Sequence, residues 1–331
     1  MPNILPNVLT GILLRIFLIA TVAGLTMLPA AAQDYPSRPV RIVFPLAAGG
    51  GGDVFTRALA DELQKVWHQP VVVENRPGGG QNIGARACVE ATADGYTICV
   101  LSSEPAVYNQ FLFKTIPYDP EKDLQPIANL FFNTLSVVIN KDMKVKTFAE
   151  MIALAKQQPG KLSYATFSFP GTYFMDKLNK AENTDIVKVP YQGGGEVVNA
   201  VLAGNTPIAV LALSNMVSLL QSGRITPLAV VSASRSPLFP EVPPLEQARP
   251  GADFPTTWFG LFTQTGVPRP IVERISADVD RIIAEPAFRK RIFIDRAVEP
   301  ASERLDVFAR FVRSERKLAQ QIVKESGVEP K

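Results

Sequence analysis

The segment "RIVFPLAAGGGGDVFTRALADELQKVW", Arg41 to Trp67, constrains the fold more than any other part of this chain. An extended β-branched run enters four consecutive glycines. A helical repeat follows at once, with Phe55, Leu59, Leu63 and Val66 spaced by about one turn each. The unit recurs: "VVVEN" (Val71 to Asn75) and "TICVL" (Thr97 to Leu101) read as buried strands, with a shorter helix, Ile83 to Ala91, between them. Strands separated by helices imply parallel pairing through right-handed crossovers, and so an α/β fold.

The pattern resumes after residue 140. "TFAEMIALAKQQPGK" starts with Thr147 and has Glu150 three residues on, a capping box. "LSYAT" (Leu162 to Thr166), "DIVKVPY" (Asp185 to Tyr191) and "TPLAVVS" (Thr226 to Ser232) read as strands of a second sheet. "GGGEVVNAVLAGN" reads as a helix with Gly204 just past its end. "WFGLFTQ" (Trp258 to Gln264) is a further apolar run, and helices are expected near Pro270–Ala284 and Arg304–Lys324. The proline-rich passage Ser234 to Pro255 is long for a loop without regular structure, which suits an inter-domain crossing. Chain crossings near 130–140 and 250–260 would give two lobes, residues 33–135 with 257–331 and residues 136–256, around a cleft.

The first 32 residues belong to a different problem. "IFLIATVAGLTMLPA" (Ile16 to Ala30) is apolar but shorter than the roughly 20 residues a bilayer span needs. Ala30 and Ala32 then stand at signal-peptidase spacing, so export with cleavage near Ala32 is expected. In an oxidising compartment Cys88 and Cys99 would pair across a short helix-to-strand loop; two buried free thiols are the alternative, and spacing alone does not decide between them. Two thiols and a single histidine cannot build a four-ligand zinc site.

Charge narrows the partners. With 34 Lys and Arg against 31 Asp and Glu, the net charge of +3 is small and spread along the chain, without the basic stripe of a nucleic-acid binder. Catalytic signatures are missing as well. Neither glycine-rich stretch spells G-x-x-x-x-G-K-S/T or G-x-G-x-x-G, and G-x-S-x-G does not occur. His68, the sole imidazole, falls where a helix ends, a position favoured by the helix dipole. No catalytic residue, cofactor or metal is expected.

Three small-residue turns that feed helices remain. "AAGGGGD" (Ala47 to Asp53) allows close ligand approach and leaves the first helical N–H groups to bind an anion, without any cationic side chain. Ala48, Gly49, Gly50 and Gly51 are the candidates there, with Asp53 as a ligand contact or as a helix cap. "TFSFPGTYF" offers Thr166, Ser168 and Thr172 hydroxyls beside Gly171, and "PYQGGGE" follows with Tyr191, which would either pack or line a pocket. Facing each other across a cleft, these turns would hold an organic carboxylate from both sides.

In order along the chain, "YPSRPVRIVFPLAAGGGGDVFTR", "VVVENRPGGGQNIGA", "ADGYTI", "YDPEKDLQPIA", "VPYQGGGEVVNAVLAGN", "GRITPLAVVSASRSPLFPEVPPLEQ" and "WFGLFTQTGVPRPIVERI" resemble the Bug family over essentially the whole of Tyr35 to Lys331. These are TctC-type extracytoplasmic solute receptors of tripartite tricarboxylate transporters. The resemblance implies a type II periplasmic-binding-protein fold, a monomeric Venus flytrap whose lobes are each a mostly parallel sheet flanked by helices. It also implies a periplasmic location and delivery of a carboxylate to a permease of one large and one small membrane subunit. By position it assigns ligand contact to Ala48 to Gly51 and to Ser168, Gly171 and Thr172.

Two departures stand out. Where the family commonly has S-x-G-x-G-S/T-x-x-H-L, this chain has "TFSFPGTYFMDKL", and a polar position after the AGN turn is Pro207. The bulkier, less polar wall points away from a small dicarboxylate and towards an aromatic or partly apolar acid. A ligand sensor for a signalling partner, or an exported enzyme using the same cleft, are the alternative functions.

Overall fold

A computed structural model describes residues 35–331 except Ala233, Ser234 and Asp253. The expected leader, residues 1–32, lies outside the described residues. The eleven strands are β1 (Val40–Phe44), β2 (Val71–Asn75), β3 (Thr97–Ser102), β4 (Leu124–Asn133), β5 (Leu135–Asn140), β6 (Ser163–Thr166), β7 (Val187–Pro190), β8 (Ile208–Ala212), β9 (Ile225–Val231), β10 (Trp258–Gln264) and β11 (Val298–Pro300). Helices of eight residues or more are α1 (Gly51–Trp67), α2 (Asn82–Val89), α3 (Phe148–Gln157), α4 (Phe169–Glu182), α5 (Gly194–Leu202), α6 (Arg269–Ala284) and α7 (Leu305–Ser326).

The strands form two sheets, ordered β11-β4-β10-β3-β1-β2 and β7-β6-β8-β5-β9. Both belong to one unit, Pro39–Lys331. Thr134 alone separates β4 of the first sheet from β5 of the second, and residues 232–257 carry the chain back from β9 to β10. The expectation of mostly parallel sheets holds in strand direction: β1, β2, β3 and β4 run one way in the first sheet, against β10 and β11, and β6, β7, β8 and β9 run one way in the second, against β5. β1 pairs in parallel with β2 and β3, and β6 with β7 and β8, but the pairings made by β4, β5 and β10 are all antiparallel. β5 and β10, which run against most of their sheets, are the strands at which the chain arrives directly from the other sheet, so neither is reached by a helical crossover within its own.

The amphipathic stripes read from sequence meet these sheets. Phe55, Leu59 and Leu63 of α1 are buried, as are Phe308, Val312 and Ala319 of α7. Phe308 packs edge-on to Trp258 of β10, with ring centroids 5.6 Å apart. Gly260 is required there, because a Cβ at that position would overlap the Phe308 ring. The capping box forms in a shifted version. The Glu150 N–H donates to Thr147 Oγ1 at 3.2 Å, while the Glu150 carboxylate accepts from the Lys146 N–H at 2.7 Å, one residue before the cap. Cys88 and Cys99 are joined, with Cα atoms 6.1 Å apart, which ties the end of α2 to β3.

Candidate functional site

A cleft of about 560 Å³, partly open to solvent, lies where residues of both sheets meet. The first sheet contributes the start of α1 and the end of β3, and the second contributes β8, the turn after it, and the loop before α4. The walls are apolar and largely aromatic: Phe44, Leu135, Phe167, Val210, Trp258 and Phe259. No Lys, Arg or His is among the lining residues.

The glycine turn after β1 holds its shape through Asp53. This carboxylate accepts from the Gly49 N–H at 3.0 Å, from Arg57 Nε at 3.0 Å and from Asn75 Nδ2 at 2.9 Å. Burial pushes its pKa up, but the Arg57, Gly49 and Asn75 hydrogen bonds outweigh burial and hold it below the ordinary aspartate value. Asp53 touches the cleft, yet its carboxylate clasps the loop. Gly50 and Gly51 line the cleft, whereas Ala48 and Gly49 line a more open hollow with Gly195 and Glu196.

Asn215 stands between the two spaces and lines both. It sits in the turn after β8, and its Oδ1 accepts the Gly51 N–H at 2.7 Å. The glycines on either side make this approach possible. A Cβ at Gly194 would overlap the Asn215 amide, and one at Gly51 would overlap Ser214. The next two amides of the α1 N-terminus, those of Gly52 and Asp53, have no hydrogen-bond partner among the described residues. They are the remaining donors of the orphan set that starts every helix.

On the second sheet, Ser168 lines the cleft and also caps α4, accepting the Gly171 N–H at 3.2 Å. Thr166 and Thr172 stand behind it. Both are buried, the Thr172 hydroxyl donates to the Ser168 carbonyl at 3.0 Å, and neither lines the cleft. Gly171 is likewise behind the wall, where a Cβ would press on Thr166 Oγ1. Tyr191 packs into the core of the second sheet, its hydroxyl 2.9 Å from that of Thr206, outside the cleft lining. His68 ends α1 in a left-handed conformation, exposed and outside the cleft lining.

Sequence reasoning missed the inner wall, where Ser102, Ser103, Glu104 and Thr257 line the cleft. Glu104 is 6% exposed, and burial pushes its carboxyl above the usual range, against the hydrogen bond from Ser102. Ser102 Oγ lies 2.5 Å from Glu104 Oε2 and 2.7 Å from Gln81 Oε1. One hydroxyl proton serves one of these contacts, and the other is met by a proton on Glu104 or by the Gln81 amide turned to donate. The signal was present in "LSSEPAV", a charged residue directly after a fully apolar strand, but nothing local tells whether such a residue points inward.

A family model described as the tripartite tricarboxylate transporter family receptor matches residues 55–328. A UPF0065 protein of Bordetella bronchiseptica is 30% identical over 324 residues, 96% of this chain and 95% of its own. BugT of Bordetella pertussis is 28% identical over 98% of this chain and 99% of its own. Among solved structures, an R. palustris protein with adipate superposes with a TM-score of 0.85 at 25% identity, covering 90% of this chain and all of the other. MatC from Rhodopseudomonas palustris with bound malate gives a TM-score of 0.80 at 26% identity, over 87% and 100%. BugD, at 24% identity and a TM-score of 0.84, shares the fold.

Proposed function

The chain belongs to the receptor family of tripartite tricarboxylate transporters, a family of periplasmic solute-binding proteins and not an enzyme class, and from that premise we propose that it captures an organic carboxylate in the cleft and delivers it to a membrane permease. The observation that carries the reading is a helix N-terminus with unpaired amides, opposite Ser168, in a pocket without a basic side chain. Such a site holds an anion by backbone dipoles and releases it again. The malate and adipate held by two structural relatives support the same chemistry.

The lobes are the two sheets with their helices, β1 to β4 with β10 and β11 in one and β5 to β9 in the other, hinged at Thr134 and in the return from β9 to β10, as sheet membership supports. Opening exposes the cleft, and the ligand favours closure by as much as it binds the closed form better. The closed receptor, a monomer, is the form the permease reads. The aromatic walls favour an acid with an apolar body over a small dicarboxylate. Among the described residues no helix is long and apolar enough to cross a membrane.

A thermal-shift screen of the mature protein against mono-, di- and tricarboxylates, with neutral controls, tests this reading. Stabilisation by one class of acid, recovered chemically unchanged, is the expected result. Stabilisation by neutral compounds alone, or turnover of a hit, overturns it.

A further inference from the structure

Far from the cleft lining, α7 carries a charge pattern with no role in the capture of a ligand. Its apolar side, with Phe308, Val312, Ala319, Ile322 and Val323, is buried in the core of the first sheet. Its outer crest is a row of four exposed cations, Arg310, Arg313, Lys317 and Lys324. At about 100° and 1.5 Å per residue, the four fall within about 60° of arc and span about 21 Å of the helix.

The carboxylates of the helix are engaged elsewhere. Asp306 pairs with Arg269 at 3.2 Å, Glu315 accepts from Trp258 Nε1 at 3.0 Å, and Glu325 accepts from Gln321 Nε2 at 2.8 Å. Arg316 turns inward to the Ala106 and Pro120 carbonyls. None of the four crest cations makes a hydrogen bond or an ion pair among the described residues. Other surface cations do, such as Arg86 with Glu90 at 2.7 Å and Lys290 with Asp295 at 2.9 Å. Two apolar side chains flank the row on one side, Val307 at 50% exposure and Leu318 at 44%.

The shape of the row decides which anion fits. A line of cations along a helix crest is convex, so a flat anionic surface reaches all four at once. A protein partner would need a matching acidic groove. Exposed apolar side chains beside the row also suit a bilayer, whose interfacial zone takes them up. We propose that the α7 crest is a docking surface for anionic phospholipid, with Arg310, Arg313, Lys317 and Lys324 on the headgroup phosphates and Leu318 and Val307 at their edge. The contact is electrostatic and reversible, each cation raising the partition about fivefold. It keeps the receptor at the membrane face, and it does not depend on which acid the cleft holds.

Co-sedimentation of the mature protein with vesicles tests this, using phosphatidylcholine alone beside an equal mixture with phosphatidylglycerol. Only the anionic vesicles carry the protein down, and added salt weakens the association. Changing Arg310, Arg313, Lys317 and Lys324 together to Gln lowers the partition by about a hundredfold or more. Changing Lys141, Lys146, Lys161 and Lys180 to Gln, four exposed lysines between β5 and β7, removes the same charge and leaves the partition within about twofold. In Leu318→Trp the new indole emission shifts to the blue on anionic vesicles, against a constant signal from the buried Trp67 and Trp258. No sedimentation, equal losses in the two fourfold variants, or an unshifted Leu318→Trp overturns the lipid assignment. Crest-dependent binding of poly-glutamate without binding of vesicles also overturns it, in favour of an acidic protein. None of these results bears on the carboxylate-receptor reading, which the thermal-shift screen tests separately.

Discussion

Asn215 Oδ1 accepts the Gly51 N–H at 2.7 Å, so a side chain from the second sheet caps a helix that starts on the first. It occupies an amide that would otherwise be free for a ligand anion, and it fixes how near the two sets of loops approach. Replacing Asn215 by Asp sets two effects against each other. The helix N-terminus welcomes the added negative charge, so the free protein keeps or gains stability. A bound carboxylate then faces a like charge, and its affinity falls by about tenfold or more. Calorimetric titration with the best acid from the screen reads the second effect, and thermal unfolding reads the first.

Gly194→Ala tests whether the glycines serve close approach. The added methyl overlaps the Asn215 amide, so the loops must separate or the chain must bend. Overpacking of this kind costs about 1–3 kcal/mol. Because the contact exists only with the loops together, the cost is expected in ligand affinity more than in unfolding. Small-angle scattering of the free variant should show a larger radius of gyration than wild type.

Ser168 and Thr172 separate contact from support. Ser168→Ala removes both a helix cap and a cleft hydroxyl, lowering stability by about 1 kcal/mol and weakening the ligand. Thr172→Val removes a buried hydroxyl bonded to the Ser168 carbonyl and leaves the ligand affinity nearly intact. Equal losses of affinity in the two variants would contradict the placement of Thr172 behind the wall.

The disulfide closes a loop between residues 11 apart. Loop-closure entropy assigns such a link about 3 kcal/mol. Changing Cys88 and Cys99 together to alanine, both fully buried, should lower unfolding stability by at least that amount, read in denaturant titrations. Ligand affinity well below the melting point should persist, because neither cysteine lines the cleft.

Acid titration should show two opposite slopes. Asp53 has its folded pKa below the ordinary aspartate value, so its contribution is present above that ordinary value and lost as pH falls through the folded one. Glu104 has its folded pKa above the ordinary glutamate value, so between the two the native state keeps a proton the unfolded chain has released, and stability falls as pH rises. Glu104→Gln lacks that second slope. The variant should match wild type in acid and exceed it near neutrality in pH-resolved unfolding.

Local pattern determined much of this protein. The strands Val40–Phe44 and Val71–Asn75, the Thr147 cap and the helix ending before Gly204 all followed from period, turn residues and caps, because each depends on neighbours within a few positions. Strands β4, β5 and β8 were harder to read. β4 contains Pro126 and two register shifts against β10, so its pairing cannot be seen in a window of sequence. The same limit applied at the site. Four glycines announced a helix-start turn, but that Gly51 bonds to Asn215, 164 positions away, was decided only when the sheets came together. Nor does composition reveal that Tyr191 turns into the core while Glu104 turns into the cleft. Side-chain direction at a strand end depends on the register and packing of distant strands, as does the pairing of a buried charge such as Asp53.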